Sequence, residues 1–264
     1  METSKVLEEN RNRVTAQHTA TEHYYSLDGQ GLFPSVTTVL SKTENKENIK
    51  DFYAWSAVKY LNQLHDEGES DIFSSRNRRD AAYHAEFIRN QAARIGTQVH
   101  NWIEDEEELT DKLRGEEDAK AVCGYRSYQR FKKDFPHLKI LEQEYLVASD
   151  KLKVAGAIDI IGYDTKRKKI FLIDWKTSNA VHESYAKQLV TYRECLKDMT
   201  GIKAVDMYVV WLSKDTAYYE LHSPVKPAKI LQDFKRNIKS YEFITNGESK
   251  LRRVHRPQEI SERI

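Results

Sequence analysis

Three strand-like segments follow one another in the middle of the chain, between two stretches of helical pattern. They cover residues 138–147, 152–162 and 169–176, and residues 164–168 form the predicted turn between the second and the third. The segments are rich in β-branched and aromatic residues, which is typical of strands that are buried in a sheet. A chain with this arrangement is constrained to build its core around one β-sheet.

The segments on either side set the order of the core. A predicted helix at 119–135 ends at Pro136, a second spans 184–197, and a strongly apolar strand covers 205–212. A short strand at 217–222 and an amphipathic helix at 230–243 follow. The order is helix, three strands, helix, strand, and it predicts an α/β (α+β) protein with a mixed sheet flanked by helices.

The N-terminal part has a different pattern. Residues 23–27 and 32–40 flank Asp28-Gly29-Gln30-Gly31, which predicts a hairpin with a glycine-containing turn. Helical spacing follows at 52–64 and again at 81–109, where Gly96 marks a possible boundary between two helices. We therefore expect an N-terminal hairpin and helical lobe at 1–80, a core at 81–245, and a polar, basic tail at 246–264.

Composition excludes several classes of protein. No apolar run approaches the roughly 18 residues of a membrane helix, and the first residues resemble neither a signal peptide nor a transit peptide. Cys123 and Cys195 both lie in predicted helices, which favours reduced thiols and an intracellular, cytoplasmic protein. No glycine-rich phosphate loop is present, so ATP hydrolysis is not expected.

The net charge of +1 hides a segregated distribution of charge. Acidic residues concentrate at 104–108 and 116–118, and basic clusters occur at 76–79, 130–133, 166–169 and 250–256. Such segregation can produce a basic groove on a nearly neutral molecule, which would attract a polyanion. For each cluster taken alone, a solvated surface is the simpler interpretation.

Two carboxylates stand at the ends of neighbouring apolar runs. Asp159 follows Gly156-Ala157-Ile158, and Asp174 follows Ile170-Phe171-Leu172-Ile173. Lys176 lies two residues beyond Asp174 and therefore emerges on the same face of that strand. One or two carboxylates suffice to hold Mg²⁺ beside a phosphate, and a lysine can orient or help deprotonate an attacking water. Phosphodiester hydrolysis is the chemistry that most often needs this set.

Other polar residues have a regular spacing on helices. His100 follows Gly96-Thr97 and could complete a metal site. Among the candidate ions, Mn²⁺ accepts an imidazole ligand best. Glu104 lies one helical turn further on and is an alternative acidic residue. Gln188 and Tyr192 share one helix face, where an amide could bind a phosphate or a base and a phenol ring could stack on a base. Each of these residues taken alone could equally be a packing or surface residue.

Taken together, these motifs resemble a known family. Gly96-Thr97-x-x-His100, Gly156-x-x-Asp159, Asp174-x-Lys176 and Gln188-x-x-x-Tyr192 occur in the order seen in RecB-like nucleases of the PD-(D/E)XK superfamily. The chain looks most like the mitochondrial genome maintenance exonuclease group and its phage relatives, which also carry a segment like Pro34-Ser35-Val36-Thr37. The resemblance covers about residues 24–212 and implies a restriction-endonuclease-like core. The Pro-Asp that names the superfamily is replaced here by Ile158-Asp159.

The resemblance also implies roles for single residues. His100, Asp159, Asp174 and the backbone carbonyl of Trp175 would bind Mg²⁺ or Mn²⁺, and Lys176 would be the catalytic lysine. Gln188 and Tyr192 would shape the active site and hold the DNA strand. Apart from the resemblance, Ser35 and Thr37 could add hydrogen bonds to DNA, and Glu144 and Glu104 are possible supports of the site.

These observations lead to an expected function. We expect a metal-dependent deoxyribonuclease, an exonuclease on single-stranded DNA or flapped ends, that works in DNA replication, repair or recombination. Duplex-DNA exonuclease and structure-selective endonuclease activities are the alternatives within enzymes, and a catalytically inactive nucleic-acid-binding module is the alternative class. The expected partner is DNA with free ends and not a membrane, in the cytoplasm of the cell or, for a viral source, of its host.

Overall fold

The computed structural model describes residues 2–18, 23–44, 47–105 and 116–245, so the basic tail predicted at 246–264 lies outside the described residues. The N-terminal half contains α1 Glu2–Asn10, β1 Val14–His18, β2 His23–Leu27, β3 Gln30–Pro34, α2 Val36–Thr43, α3 Glu47–Asp66 and α4 Ser75–Glu104. The C-terminal half contains α5 Glu116–Asp134, β4 Leu138–Ser149, β5 Val154–Asp164, β6 Lys169–Lys176, α6 Glu183–Thr200, β7 Asp206–Leu212, β8 Tyr219–His222 and α7 Pro227–Thr245.

The main sheet has five strands in the order β4-β5-β6-β7-β8. The pairs β4–β5, β5–β6 and β7–β8 are antiparallel, whereas β6 and β7 are parallel and are joined through α6. A parallel pair needs such a crossover because the chain must return to the same end of the sheet. The predicted mixed sheet and its order of helix, three strands, helix and strand are confirmed.

Apolar side chains cover both faces of this sheet. One core joins the sheet to α6, α7 and the N-terminal segments, and includes Leu7, Phe33, Val36 and Leu189. The other joins the sheet to α4 and α5 through aromatic residues such as Tyr128, Phe131 and Trp175. The N-terminal segments therefore share a core with the sheet, and the boundary expected between residues 80 and 81 falls inside the continuous helix α4.

Two local predictions were wrong. Residues 32–40 were expected to form one strand, but β3 ends at Pro34 and α2 starts at Val36, because the Ser35 hydroxyl caps the helix by accepting a hydrogen bond from Thr38 N at 2.9 Å. Gly96 was expected to interrupt the long helix, but α4 passes through it without a break. A Cβ atom at Gly96 would lie 3.1 Å from Thr177 Oγ1, so the glycine allows α4 to lie close to the end of β6.

Cys123 and Cys195 are both free. None of the described helices is long and apolar enough to cross a membrane.

Candidate active site

The candidate site lies where β5 and β6 stop pairing. Their ladder runs from Asp164↔Lys169 to Ile160↔Ile173 and goes no further. Beyond this point, which we call the strand fork, the Trp175 amide donates to Asp159 Oδ2 at 2.7 Å, so a side chain replaces the next ladder bond. The fork therefore brings Asp159 and the segment from Asp174 to Lys176 together at the ends of two inner strands of the sheet.

Strand β4 adds Glu144 on the other side of Asp159. The pairs Gln143↔Ile160 and Tyr145↔Ile158 put Glu144 opposite Asp159 in the register of β4 and β5. Its backbone φ is 45°, in the left-handed region that residues with a side chain rarely adopt. The side chain is 43% exposed, and its Oε1 lies 4.0 Å from Nδ1 of His100.

Helix α4 carries His100 to the same place. Its Nε2 is 3.2 Å from the Trp175 carbonyl oxygen, and its Nδ1 is 3.9 Å from Asp159 Oδ2. Burial lowers the pKa of the imidazole, but Glu144 and Asp159 outweigh this effect, so the pKa is raised overall. Because a carbonyl can only accept, the proton of the neutral ring belongs on Nε2, and the Nδ1 lone pair faces the two carboxylates.

These three residues fit a divalent cation. One ligand atom from each of His100, Glu144 and Asp159 lies within 4.8 Å of the others. Oxygen ligands suit Mg²⁺, and a set that includes imidazole also suits Mn²⁺. Burial raises the pKa of Asp159, and His100 and Lys176 oppose that rise. A divalent cation would favour the ionised carboxylate in the same way, so the donor set matches the ion that it would hold.

Asp174 and Lys176 form a buried ion pair next to this group. Asp174 is 1% exposed, and its Oδ1 accepts hydrogen bonds from Lys176 Nζ at 2.8 Å and from Gln188 Nε2 at 3.1 Å. Its Oδ2 also lies 2.8 Å from Nζ but has no hydrogen-bond partner. A buried carboxylate oxygen left without a hydrogen bond is an available ligand. Asp174 is therefore suited to contact a cation while it holds the lysine.

The charges of this pair depend on each other. Burial raises the pKa of Asp174 to about 6, against the opposing effect of Lys176. Burial favours the neutral form of Lys176, but Asp174 and Asp159 outweigh it, so the pKa of the amine is raised. Lys176 Nζ also lies 5.2 Å from the centre of the Tyr185 ring, where the ring face attracts a cation. Lys176 is thus held as a charged ammonium.

Gln188 and Tyr192 support the site from α6. Tyr192 is 4% exposed, Gln188 is 8% exposed, and Gln188 Nε2 lies 3.3 Å from the Tyr192 hydroxyl as well as contacting Asp174. Stacking of Tyr192 on a base stays a prediction; the ring is buried and packs against Gly156. Gln188 is likewise committed to Asp174, which fits the supporting role that the resemblance also implied.

The remaining candidates lie around the site. Ser35 is buried, its hydroxyl is used by the α2 cap, and its backbone forms a bridge with Ala155 on the strand that carries Asp159. Thr37 is exposed in the first turn of α2. The side chain of Glu104 is exposed, its backbone carbonyl accepts from Gln143 Nε2 at 3.2 Å, and its carboxylate is not part of the group around His100.

Two features of the site were not found from the sequence. The contact of Tyr185 with Lys176 had a usable signal, since Tyr185 lies one turn before Gln188 on the helix face that points to Asp174. The backbone conformation of Glu144 had none, because glutamate is not a residue that favours positive φ.

Comparison with known proteins places the chain in a family. The model of the PD-(D/E)XK nuclease superfamily matches residues 15–257. No curated protein matches the sequence. Among solved structures, the chain is similar to a candidate exonuclease from Eubacterium rectale, with a TM-score of 0.44 and 13% identity over 59% of this chain and 68% of that one. It is also similar to SSO0001, with a TM-score of 0.31 and 14% identity over 81% of this chain and 85% of that one. The family model covers most of the chain, and the protein therefore belongs to the PD-(D/E)XK nuclease superfamily.

Proposed function

We propose that the protein is a divalent-metal-dependent deoxyribonuclease that acts as an exonuclease on single-stranded DNA or on flapped ends. One observation carries the proposal: His100 and Asp159 converge at the strand fork beside the buried Asp174–Lys176 pair. A module that only binds nucleic acid has no need for a buried ion pair next to a metal-ligating group. Trimming of ends would serve DNA replication, repair or recombination.

The charges at the fork support distinct roles for its residues. A bound Mg²⁺ or Mn²⁺ would supply a polarised phosphate oxygen and an acidified water. His100 and Asp159 would hold it, and Asp174 Oδ2, which has no hydrogen-bond partner but lies 2.8 Å from Lys176 Nζ, would be a further contact. Because its pKa is raised, Lys176 stays charged and would orient the water and offset the charge that develops on phosphorus, and it would not take up a proton.

The hairpin of α3 and α4 supports a single-stranded substrate. Trp55, Tyr83 and Phe87 are 55%, 63% and 57% exposed on it. Exposed arginines lie near the start of α4, at Arg76, Arg78 and Arg79. Unpaired bases stack on exposed aromatic rings, and arginines hold the phosphates between them without reading sequence. A protein that trims ends must accept every base, so this combination suits the proposed substrate.

One assay tests the activity and its end requirement together. End-labelled single-stranded, duplex, flapped and circular DNA should be digested with Mg²⁺, Mn²⁺ or EDTA. We expect metal-dependent loss of linear single strands and flaps, with circles spared. Cleavage of circular single strands would make the protein an endonuclease, and digestion of blunt duplex with single strands spared would favour the duplex exonuclease.

Two variants test the assignment of the site. Asp174→Ala and Lys176→Ala should each abolish cleavage while the circular dichroism spectrum stays that of the native fold. If either variant cleaves at close to the native rate, the fork is not the active site.

A further inference from the structure

Glu144 is held in a backbone conformation that its place in the fold does not explain. Five other described residues with side chains have positive φ, and all of them lie in turns or bends: Asp28, Lys153, Lys168, Ala217 and Lys226. Glu144 is in the middle of β4, with paired residues on both sides. A glycine would adopt this conformation without a steric penalty, and a strained residue persists only when its surroundings hold it.

The conformation brings a third carboxylate into contact range of the fork. Glu144 Oε1 lies 4.0 Å from His100 Nδ1, and Asp159 Oδ2 lies 3.9 Å from the same nitrogen. The Trp175 carbonyl fixes the proton of the neutral ring on Nε2, so Nδ1 offers its lone pair between two carboxylates. Two carboxylates and a lone pair that face one point repel one another unless a positive charge lies between them.

We propose that Glu144 is a direct ligand of the divalent cation, together with His100 Nδ1 and Asp159. This inference rests on the proposed function, and it adds one residue to the ligand set that the family resemblance implies. The Trp175 carbonyl lies 3.2 Å from His100 Nε2 and orients the imidazole, so that Nδ1 faces the two carboxylates. Asp174 keeps Lys176 charged, and its Oδ2, which has no hydrogen-bond partner, is left for the cation.

Binding of Mn²⁺ to the metal-stripped full-length protein, measured by calorimetry without DNA, tests the proposal independently of catalysis. Glu144→Gln keeps the size of the side chain and replaces the anionic oxygens by a neutral amide oxygen, a much weaker ligand, so it should weaken Mn²⁺ binding by about ten-fold or more. Glu142→Gln is the matched control, because Glu142 lies on the same strand, is paired with Arg11 and carries the same charge. It should bind Mn²⁺ within about two-fold of the native protein.

The salt dependence of Mn²⁺ affinity distinguishes direct coordination by Glu144 from through-space attraction by its charge. The ratio of Mn²⁺ affinities between the native protein and Glu144→Gln should stay constant from about 0.05 to 0.5 M KCl, since a ligand bond is not screened as a through-space interaction between exposed charges is. A ratio that falls towards one at high salt would overturn the proposal. Native-like affinity of Glu144→Gln at every salt concentration would also overturn it, and Glu144 would then be only the counter-ion of a protonated His100.

A glycine variant distinguishes loss of a metal ligand from loss of folding stability. Glu144→Gly should melt no lower than the native protein without metal and should lose the metal-induced rise in melting temperature. Lys168→Gly, which removes a side chain at φ 56° in an exposed turn, should keep that rise. If Glu144→Gly keeps it as well, the carboxylate does not bind the metal. Absence of Mn²⁺ binding and of DNA cleavage in the native protein would instead refute the proposed function.

Discussion

A Cβ atom on Gly156 would lie 2.5 Å from Cε1 of Tyr192, so the tyrosine ring occupies space that only glycine leaves free. The hydroxyl of the same tyrosine is in contact with Gln188 Nε2, and that amide also donates to Asp174. Two motifs that are far apart in the sequence are therefore one packed unit. The glycine positions the ring, and the ring and the amide position the carboxylate.

The first prediction follows from this contact. Gly156→Ala should destabilise the protein by about 1–3 kcal/mol, because a buried ring cannot move aside as a flexible side chain can. It should also lower the cleavage rate, since displacement of Tyr192 disturbs Gln188 and Asp174. Urea unfolding and single-turnover cleavage measure the two effects.

A double-mutant cycle provides the control. Tyr192→Ala removes the ring that Gly156→Ala would strike, so the double variant should be less destabilised than the sum of the two single variants. Strict additivity would mean that the glycine is required for another reason.

The main sheet could be predicted because each of its central strands has a recognisable apolar pattern in the sequence. β5 and β6 are strongly apolar and separated by a polar turn, and this pattern can be recognised without knowing which strands pair. The same pattern places Asp159 and Asp174 at strand positions that can meet. The sequence pattern cannot predict where β5 and β6 separate. Their pairing ends after Ile160 and Ile173, where the Trp175 amide donates to the Asp159 side chain and not to the neighbouring strand.

The errors have the same origin in contacts between distant segments. Gly96 lies within α4 because the helix packs against Thr177, which is far from it in sequence. The packing of Tyr192 on α6 could not be predicted either, because its ring contacts Gly156 on β5, which is distant in sequence. β3 ended early because a single side chain, Ser35, caps the next helix, and a capping serine is easily overlooked within an apolar segment.

The second prediction concerns pH. Asp174 must be ionised to hold Lys176, and burial raises the pKa of this carboxyl to about 6, so the cleavage rate should fall as the pH drops through about 6. A cation bound nearby favours the carboxylate, so a higher Mg²⁺ concentration should move this acid limb to lower pH. A pH–rate profile that is flat through this range would show that Asp174 does not control the rate.

The third prediction changes the neighbour of Asp174. Gln188→Glu replaces a donated hydrogen bond at 3.1 Å by a second carboxyl, which raises the pKa of Asp174 further. The acid limb of the pH–rate profile should therefore move to higher pH. Gln188→Met removes only the hydrogen bond and should cause a smaller shift in the same direction. Equal profiles for all three proteins would place the titrating group elsewhere.

The fourth prediction breaks the buried ion pair. Lys176→Met leaves Asp174 buried without its counter-ion and should lower stability by about 3–5 kcal/mol near pH 8. The carboxyl already has a raised pKa in the folded state, and loss of the lysine raises it further, so the folded state gains a proton and the deficit shrinks as the pH falls below that value. Urea unfolding of the native protein and the variant at about pH 8 and pH 5 measures the loss of stability at each pH.

A second ion pair with more exposure to solvent serves as the control for Lys176→Met. Lys187 pairs with Glu44 at 2.9 Å, with side chains 23% and 30% exposed. Lys187→Met should cost less than about 1 kcal/mol, because solvent compensates for the lost partner. Similar losses for the two variants would show that Asp174 is far better solvated than its burial indicates.

The last prediction concerns the binding of single-stranded DNA. Arg76, Arg78 and Arg79 are exposed at the start of α4, and contacts between arginines and phosphates release condensed counter-ions. Replacing all three by glutamine should weaken binding of single-stranded oligonucleotides of any sequence, measured in EDTA to prevent cleavage. Each lost phosphate contact should reduce the slope of log affinity against log salt by about 0.7, so a triple variant that loses all three contacts should lose about 2.

The control for this experiment removes the same charge from another surface. Lys229, Lys235 and Lys239 are exposed on α7, and their replacement by glutamine changes the net charge of the protein by the same amount. If the arginines contact the strand directly, the α7 variant should keep the native salt slope while the α4 variant does not. Equal loss of slope in both variants would mean that DNA responds to the overall charge of the protein, and the hairpin of α3 and α4 would then have no special part in holding the strand.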